Sequence, residues 1–448
     1  MTILDRSVMP VSTASPQFHF PQFYERSLSN GIKVYVVEDF TQPLVSISLT
    51  VKDGAISEPI DGLARFAARM LTRGTAQRTG TQIADDIDLL GASISSSAGW
   101  DATETSILML SEFTEQATEI MADCIRNPLF SEEEADRLRR QSIAEIQQIS
   151  ADQTYLATSI FNQVAFAGHP YSHRRYGSTA SLTAITSEDC RNWKHHLDTQ
   201  QQFFIVAGNI SAQDAIDLLE RHFGSIVYRP EQEATYAAIH PTKHRRVVVI
   251  DKQDALQTTL VIGGNTISHT HPDYPALDLA NSICGGMFTS RINGLLREKH
   301  GYTYGARSYF DNRKHATTHQ ASSSVGKDST AHSVEIILEE INRMRHEPVS
   351  AEEFQTAKQY LLGSFVRDLE TPHDVSQLLQ TIELYNFPKD YYTNYFNSIT
   401  RLNHEDLFPI QQRYFDADSM TIAASGEADY LTQELARFGT VEVISLSV

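Results

Sequence analysis

Cysteine is scarce in this 448-residue chain: Cys124, Cys190 and Cys284 are the three, odd in number and far apart. That excludes a disulfide framework and matches no metal-ligand spacing, so three buried free thiols are expected. Positive charge is also short. Lysine and arginine total 37 against 56 aspartates and glutamates, a formal net charge of −19. Such a balance argues against general nucleic-acid binding and against docking on anionic membranes. No apolar run approaches the length of a membrane span. The opening "MTILDRSVMPVSTASPQFHF" has no basic start followed by an apolar core, so no signal peptide is read there. A cytoplasmic protein is the default expectation, or a periplasmic one if a signal peptide has been removed.

What is present is ordinary globular material, 41% hydrophobic and 21% charged, in a chain too long for one core. The chain is also written twice. "NPLFSEEEADRLRRQSIAEI" (127–146) parallels "EPVSAEEFQTAKQYLLGSF" (347–365). Each places a serine, Ser131 or Ser350, three residues before a glutamate, Glu134 or Glu353, the pattern of a helix capping box. The two serines stand 219 positions apart. "FFIVAGNIS" (203–211) parallels "MTIAASGEA" (420–428), with Gly208 and Gly426 at a separation of 218, and the helices after them end in Phe223-Gly224 and Phe438-Gly439. Constant offsets at separated landmarks point to two homologous halves, 20–228 and 246–448, joined by a polar linker, 229–245, that holds two prolines.

Within each half, strand patterns precede long amphipathic helices. "GIKVYVVED" and "VSISLTVKDGA" open the first half, "RRVVVIDKQ" and "TTLVIGGN" the second; helices are expected over 81–91, 112–126, 131–150, 328–346 and 350–366. This order predicts an α+β fold in which each half is a mostly antiparallel sheet with helices packed on one face. Two such halves would face each other across a cavity suited to a ligand.

Two stretches carry chemistry. In "GLARFAARMLTRGT" (62–75), Leu63, Phe66, Ala67, Met70 and Leu71 make an apolar helical stripe, while Arg65, Ala68, Arg69 and Thr72 lie opposite. Two solvated arginines on an ordinary helix is the plain reading of that face. In "SRINGLLREKHGYTYG", Arg297 at the end of a helix is followed seven residues later by Tyr304. Taken alone, these are a helix-capping arginine and a half-buried strand tyrosine. Gly285 and Gly286, in "CGGMFTS" before that helix, serve either close approach of a substrate backbone or packing of helix on sheet.

These stretches, with "NGIKVYVVEDFTQPLVSISLTVKDGAISEP", "NPLFSEEEADRLRRQSIAEIQQ", "GHPYSHRRYGS" and "GGMFTSRINGLLREKHGYTYGARSYF", make nearly the whole chain resemble the inverted-motif zinc peptidases that include pitrilysin, insulin-degrading enzyme and the mitochondrial processing peptidases. In active members the first helix carries His-x-x-Glu-His, two zinc ligands and a base, and a second helix supplies a Glu as third ligand. The resemblance sets Arg65, Ala68 and Arg69 at ligand, base and ligand, and Glu145, 76 positions after Arg69, at the third ligand. Arginine cannot ligate a metal and alanine cannot take a proton. No metal and no cofactor are therefore expected in this chain, and Arg65 and Arg69 are expected to replace the metal's charge beside Glu145. The resemblance also implies that Arg297 and Tyr304 contact the substrate backbone and stabilise the tetrahedral oxyanion, as two hydrogen-bond donors can. In the family the edge strand near residues 89–107 pairs with extended substrate through an Asn before the turn; serines stand there in this chain.

The resemblance thus implies a zinc-less subunit of a bacterial two-chain metallopeptidase, whose partner is a zinc-binding homologous subunit. The heterodimer would cleave peptide substrates in a closed chamber, with neither subunit active alone and no role for nucleic acid or membrane. Two other readings stand beside it: a purely structural or peptide-binding homologue, like the family's core proteins in a respiratory complex, and a self-dimer that sequesters peptides. The histidines of "GHPYSH" (168–173) and "SHTHPD" (268–273) lack metal-site partners, and His195-His196 is read as a solvated helix end.

Overall fold

A computed structural model describes residues 17–239, 244–367 and 369–444. Twelve strands among them form two six-stranded sheets. The first holds β1 (Tyr24–Ser27), β2 (Lys33–Glu38), β3 (Leu44–Val51), β4 (Ser93–Ala98), β5 (Thr103–Leu110) and β6 (Gln202–Gly208) in the order 1-2-6-3-5-4. The second holds β7 (Arg246–Asp251), β8 (Gln257–Thr266), β9 (Ala306–Asn312), β10 (Thr317–Gly326), β11 (Thr421–Gly426) and β12 (Val441–Ile444) in the order 12-7-11-8-10-9. Five strands of each sheet match one to one, and the halves are homologous. The sixth does not: β1 joins β2 antiparallel from the start of the chain, whereas β12 joins β7 parallel from its end. Apart from β2 with β6, β7 with β11 and β7 with β12, every pairing is antiparallel.

The first half adds helices α1 (Leu63–Met70), α2 (Gly80–Leu89), α3 (Thr114–Arg126), α4 (Glu132–Ile149), α5 (Gln153–Ala165), α6 (Thr179–Ala184), α7 (Ser187–Asp198) and α8 (Ala212–Phe223). The second adds α9 (Tyr274–Asn281), the short α10 (Arg291–Asn293) continued by π-helical turns over Gly294–Lys299, α11 (Thr330–His346), α12 (Ala351–Arg367), α13 (Pro372–Leu384), α14 (Tyr391–Arg401), α15 (His404–Tyr414) and α16 (Ala428–Leu435). The paired capping serines differ in detail. Ser350 and Glu353 exchange side-chain and backbone bonds. Ser131 only accepts from the Glu134 N–H at 3.3 Å, because the Glu134 carboxylate turns to Arg137.

Period-2 alternation places Val45, Ile47 and Leu49 of β3 on one face, in a core with α3 and α8. The matching face of the second sheet packs on α9, α11, α12 and α16. Strands β6 and β7, however, are apolar on both faces, and both faces need cover. Each inner face receives a helix from the other half. Leu156, Ile160, Phe161 and Val164 of α5 lie against Val248, Ile250, Val261 and Ala423 of the second sheet. Val375, Leu379 and Ile382 of α13 lie against Tyr35, Val37, Phe203 and Ile205 of the first. Each such side chain contributes roughly 1.5–3 kcal/mol on full burial, so the exchange fastens the halves strongly. All three cysteines are buried free thiols, pushed up to about 12 by burial.

Candidate functional site

Helix α1 begins where two backbones nearly touch. Gly62 has φ +89°, and a Cβ there would meet Gly177 Cα at 3.0 Å; Gly177 has φ +77°. Only glycine fits both the left-handed conformation and the contact. The Glu58 carboxylate caps the helix, accepting from the N–H groups of Gly62 at 2.9 Å and Ala64 at 2.7 Å. Burial pushes the Glu58 carboxyl up to about 8 despite those two bonds. The glycine contact lays the 174–177 turn across the start of α1 and brings the Tyr176 ring within 5.3 Å of the Arg65 guanidinium.

One turn on, α1 meets α4. Arg69 Nη1 and Nη2 donate to Glu145 Oε2 and Oε1, each at 2.9 Å, and Arg65 Nη2 donates to Oε2 at 3.0 Å. Arg69 Nη1 also reaches Ser142 Oγ at 3.2 Å, and Arg73 Nη2 reaches Gln141 Oε1 at 3.2 Å. Burial alone would raise the Glu145 carboxyl, but the bonds from Arg69 and then Arg65 outweigh it and hold it below the ordinary range. Ala68, 1% exposed, packs in a core with Leu63, Met70, Leu138 and Trp193. These residues do not fit zinc: the guanidinium groups offer no lone pair, and both Glu145 oxygens accept N–H bonds.

The second constellation lies past α9. Arg297, in the Gly294–Lys299 turns, sets its guanidinium carbon 4.5 Å from the centre of the Phe288 ring, and its Nη1 is 3.3 Å from Glu298 Oε1. Tyr304 is not on the next strand as expected. It sits two residues before β9, in a loop bounded by Gly301 (φ +65°) and Gly305, since ladder pairing starts only at Ala306 opposite Ser323. Its side chain is 96% exposed. Buried Asn293 organises this region, donating to the Phe288 carbonyl at 2.6 Å and accepting the Ala306 N–H at 2.9 Å. Among the described residues, no hydrogen bond, ion pair or ring contact joins Arg297 to Tyr304, or either to the α1/α4 cluster. Gly285 is buried, and a Cβ there would lie 2.4 Å from Ser308 Oγ, which is helix-on-sheet packing. Gly286, by contrast, is exposed.

A cavity of about 580 Å³ runs between the halves beside Arg65, bounded by Asp61, His173, Arg175 and Tyr176 on one side and Asp311 and Arg313 on the other. A second, of about 360 Å³, lies between the serine-lined inner face of β3, β4 and β5 and the start of α13. His196 is not simply solvated: its Nε2 lies 2.7 Å from Asp53 Oδ2, and that bond raises its pKa against burial. His169 is buried, which pushes it down to about 4. Sequence reasoning passed over Ser142, Tyr176, Phe288 and Asn293. Ser142 was within reach, one helical turn before Glu145 on the same face. The others depend on contacts between distant segments.

Two family models cover the chain: "Insulinase (Peptidase family M16)" over residues 33–178 and "Peptidase M16 inactive domain" over 185–361. An uncharacterized zinc protease, YmxG, of Bacillus subtilis is 22% identical over 345 residues, 76% of this chain and 83% of that one. An uncharacterized zinc protease of Rickettsia felis is 27% identical over 344 residues, 76% and 82% of the two chains. A crystal structure of a peptidase M16 inactive domain from Pseudomonas fluorescens superposes with a TM-score of 0.82 at 22% identity, covering 90% of this chain and 98% of that one.

Proposed function

Because the chain belongs to the peptidase M16 family, with residues 185–361 matching that family's inactive-domain model, we propose that it is the zinc-less subunit of a two-chain metallopeptidase. A zinc-binding homologous subunit brings the metal; this chain brings Arg297 and Tyr304, and peptides are cleaved in the chamber the two enclose. The carrying observation is the state of the α1/α4 cluster. Three N–H bonds occupy the Glu145 carboxylate, Ala68 stands where a base would, and no group there activates water.

What remains available lies in the second half. Tyr304 offers a phenol O–H with no partner among the described residues, and Arg297 offers guanidinium N–H groups. Such donors act where a carbonyl oxygen gathers negative charge. Phe288 and Tyr304, both large and 70% and 96% exposed, make this surface incomplete in one chain alone. Gly286 lets a peptide backbone come close. Among the described residues no helix is long and apolar enough to cross a membrane.

The test mixes the purified chain with a zinc-bearing M16 homologue and follows cleavage of a quenched peptide. Cleavage is expected only in the mixture, with well under one zinc per copy of this chain by elemental analysis. Cleavage by this chain alone, or stoichiometric zinc in it, would overturn the reading. A chain that ignores every zinc-bearing homologue and binds peptide as a self-dimer would point instead to sequestration.

A further inference from the structure

The structure assigns a second ligand site, independent of the proposed peptidase role, to an aromatic cavity of about 460 Å³ between α9, α12, α13 and α14. We propose that it binds a compact quaternary ammonium group, held by Asp278 and the ring faces around it.

Aromatic rings make up just over half of the walls. Phe365 stacks with Tyr395 at 5.4 Å, and Phe387 stacks with Tyr391 at 4.1 Å and with Tyr385 at 5.6 Å. Three of the tyrosine hydroxyls already have partners on the cavity's own walls. Tyr391 donates to the His269 carbonyl at 3.0 Å, Tyr385 to the Asn312 carbonyl at 3.4 Å, and Tyr395 to Asp278 Oδ2. Aromatic rings attract cations through the negative quadrupole of their faces.

One carboxylate lies among these rings. Asp278 has Tyr395 as its hydrogen-bond donor, and its other oxygen has no partner among the described residues. No lysine or arginine lines the cavity. His269 lines it, but burial pushes that imidazole down to about 4, so it is neutral near pH 7. A deep carboxylate without a counter-cation is costly, and burial raises its pKa accordingly. A bound cation would supply the missing charge.

The kind of cation follows from there being a single carboxylate among the lining residues. A guanidinium brings five N–H donors and an ammonium three, and most would stay unsatisfied against ring faces. A quaternary ammonium brings none. It needs one carboxylate and aromatic surface, which is what the cavity offers. The same head group occurs on a free small molecule and on a trimethylated lysine side chain, and the test separates these sources.

The full chain is titrated calorimetrically with choline, with N-acetyl-trimethyllysine amide, and with 3,3-dimethyl-1-butanol, which has choline's shape without its charge. At least one cation is expected to bind about tenfold or more tighter than the neutral isostere. Binding of choline alone points to a free ligand, and binding of the lysine derivative alone to a modified peptide. The isosteric Asp278→Asn should erase the preference for charge, and Ser364→Trp, from the α12 wall, should block binding of either cation. Equal binding of the cations and the isostere by the native protein, or no binding of either cation at about 10 mM, weaker than any specific site would show, overturns the proposal.

Discussion

Arg69 meets Glu145 with both terminal nitrogens, each 2.9 Å from a separate carboxylate oxygen, and Arg65 adds a third bond from one helical turn earlier. Fork-to-fork pairing of this kind is directional as well as strong. It joins α1 to α4 side chain to side chain.

Glu145→Gln should therefore loosen the chain. It leaves two guanidinium groups, each about a fifth exposed, facing each other without a counter-charge. A loss of about 1–3 kcal/mol is expected in denaturant unfolding. The loss should shrink when Arg65 and Arg69 are already alanine, as a double-mutant cycle would show. Additive effects in that cycle would mean the three residues do not act together.

The reverse experiment restores the metal. Arg65→His, Ala68→Glu and Arg69→His together recreate two imidazoles and a base beside Glu145, a ligand set that zinc accepts. The triple variant should hold about one zinc per chain by elemental analysis, against far less for the native protein. Zinc at native levels in a folded triple variant would show that α1 and α4 no longer frame the site.

In the complex with a zinc-bearing homologue, Tyr304→Phe should lower kcat about 100- to 1,000-fold, the usual cost of one oxyanion donor. Because the Tyr304 side chain is 96% exposed, the unfolding midpoint should not move. A fall in stability that accounts for the lost rate would reduce Tyr304 to a structural residue.

Much of this was legible beforehand. The 219-residue offset exposed the two halves, helical spacing placed Arg65 and Arg69 on one face, and the family resemblance set Glu145 beside them. Local rules reach that far because caps and apolar stripes are written in neighbouring residues. They do not reach contacts between distant segments. Tyr176 comes to Arg65 only because Gly62 and Gly177 pack backbone to backbone, and Asn293 ties Phe288 to Ala306 through a buried side chain. The resemblance sets Tyr304 on a strand, yet the flanking glycines hold it in the preceding loop.

The two adjacent glycines should behave differently. Gly285→Ala puts a methyl about where Ser308 Oγ sits, 2.4 Å away, and should cost about 1–3 kcal/mol through overpacking. Gly286→Ala meets its nearest atom at 3.3 Å and should leave stability almost unchanged while raising KM in the two-chain complex. Equal stability loss at both positions would dismiss the distinction.

His196 and Asp53 predict a pH effect. The hydrogen bond raises the folded-state pKa of His196 above its unfolded value, about 6.5. Its contribution is complete below that pH and is lost as pH rises through the folded value. Asp53→Asn should flatten this part of the stability profile on the alkaline side of about pH 6.5. Superimposable profiles for the two proteins would remove the pair from the account.

The crossing of α5 onto the second sheet and of α13 onto the first has a topological result. Cutting the backbone between residues 229 and 239 would not yield two free domains, because each fragment still carries the lid of the other's inner face. Two separately expressed fragments should find each other and reconstitute one body, while either by itself would expose a continuous apolar sheet and aggregate. For the same reason any widening of the space between the halves must drag a helix with it.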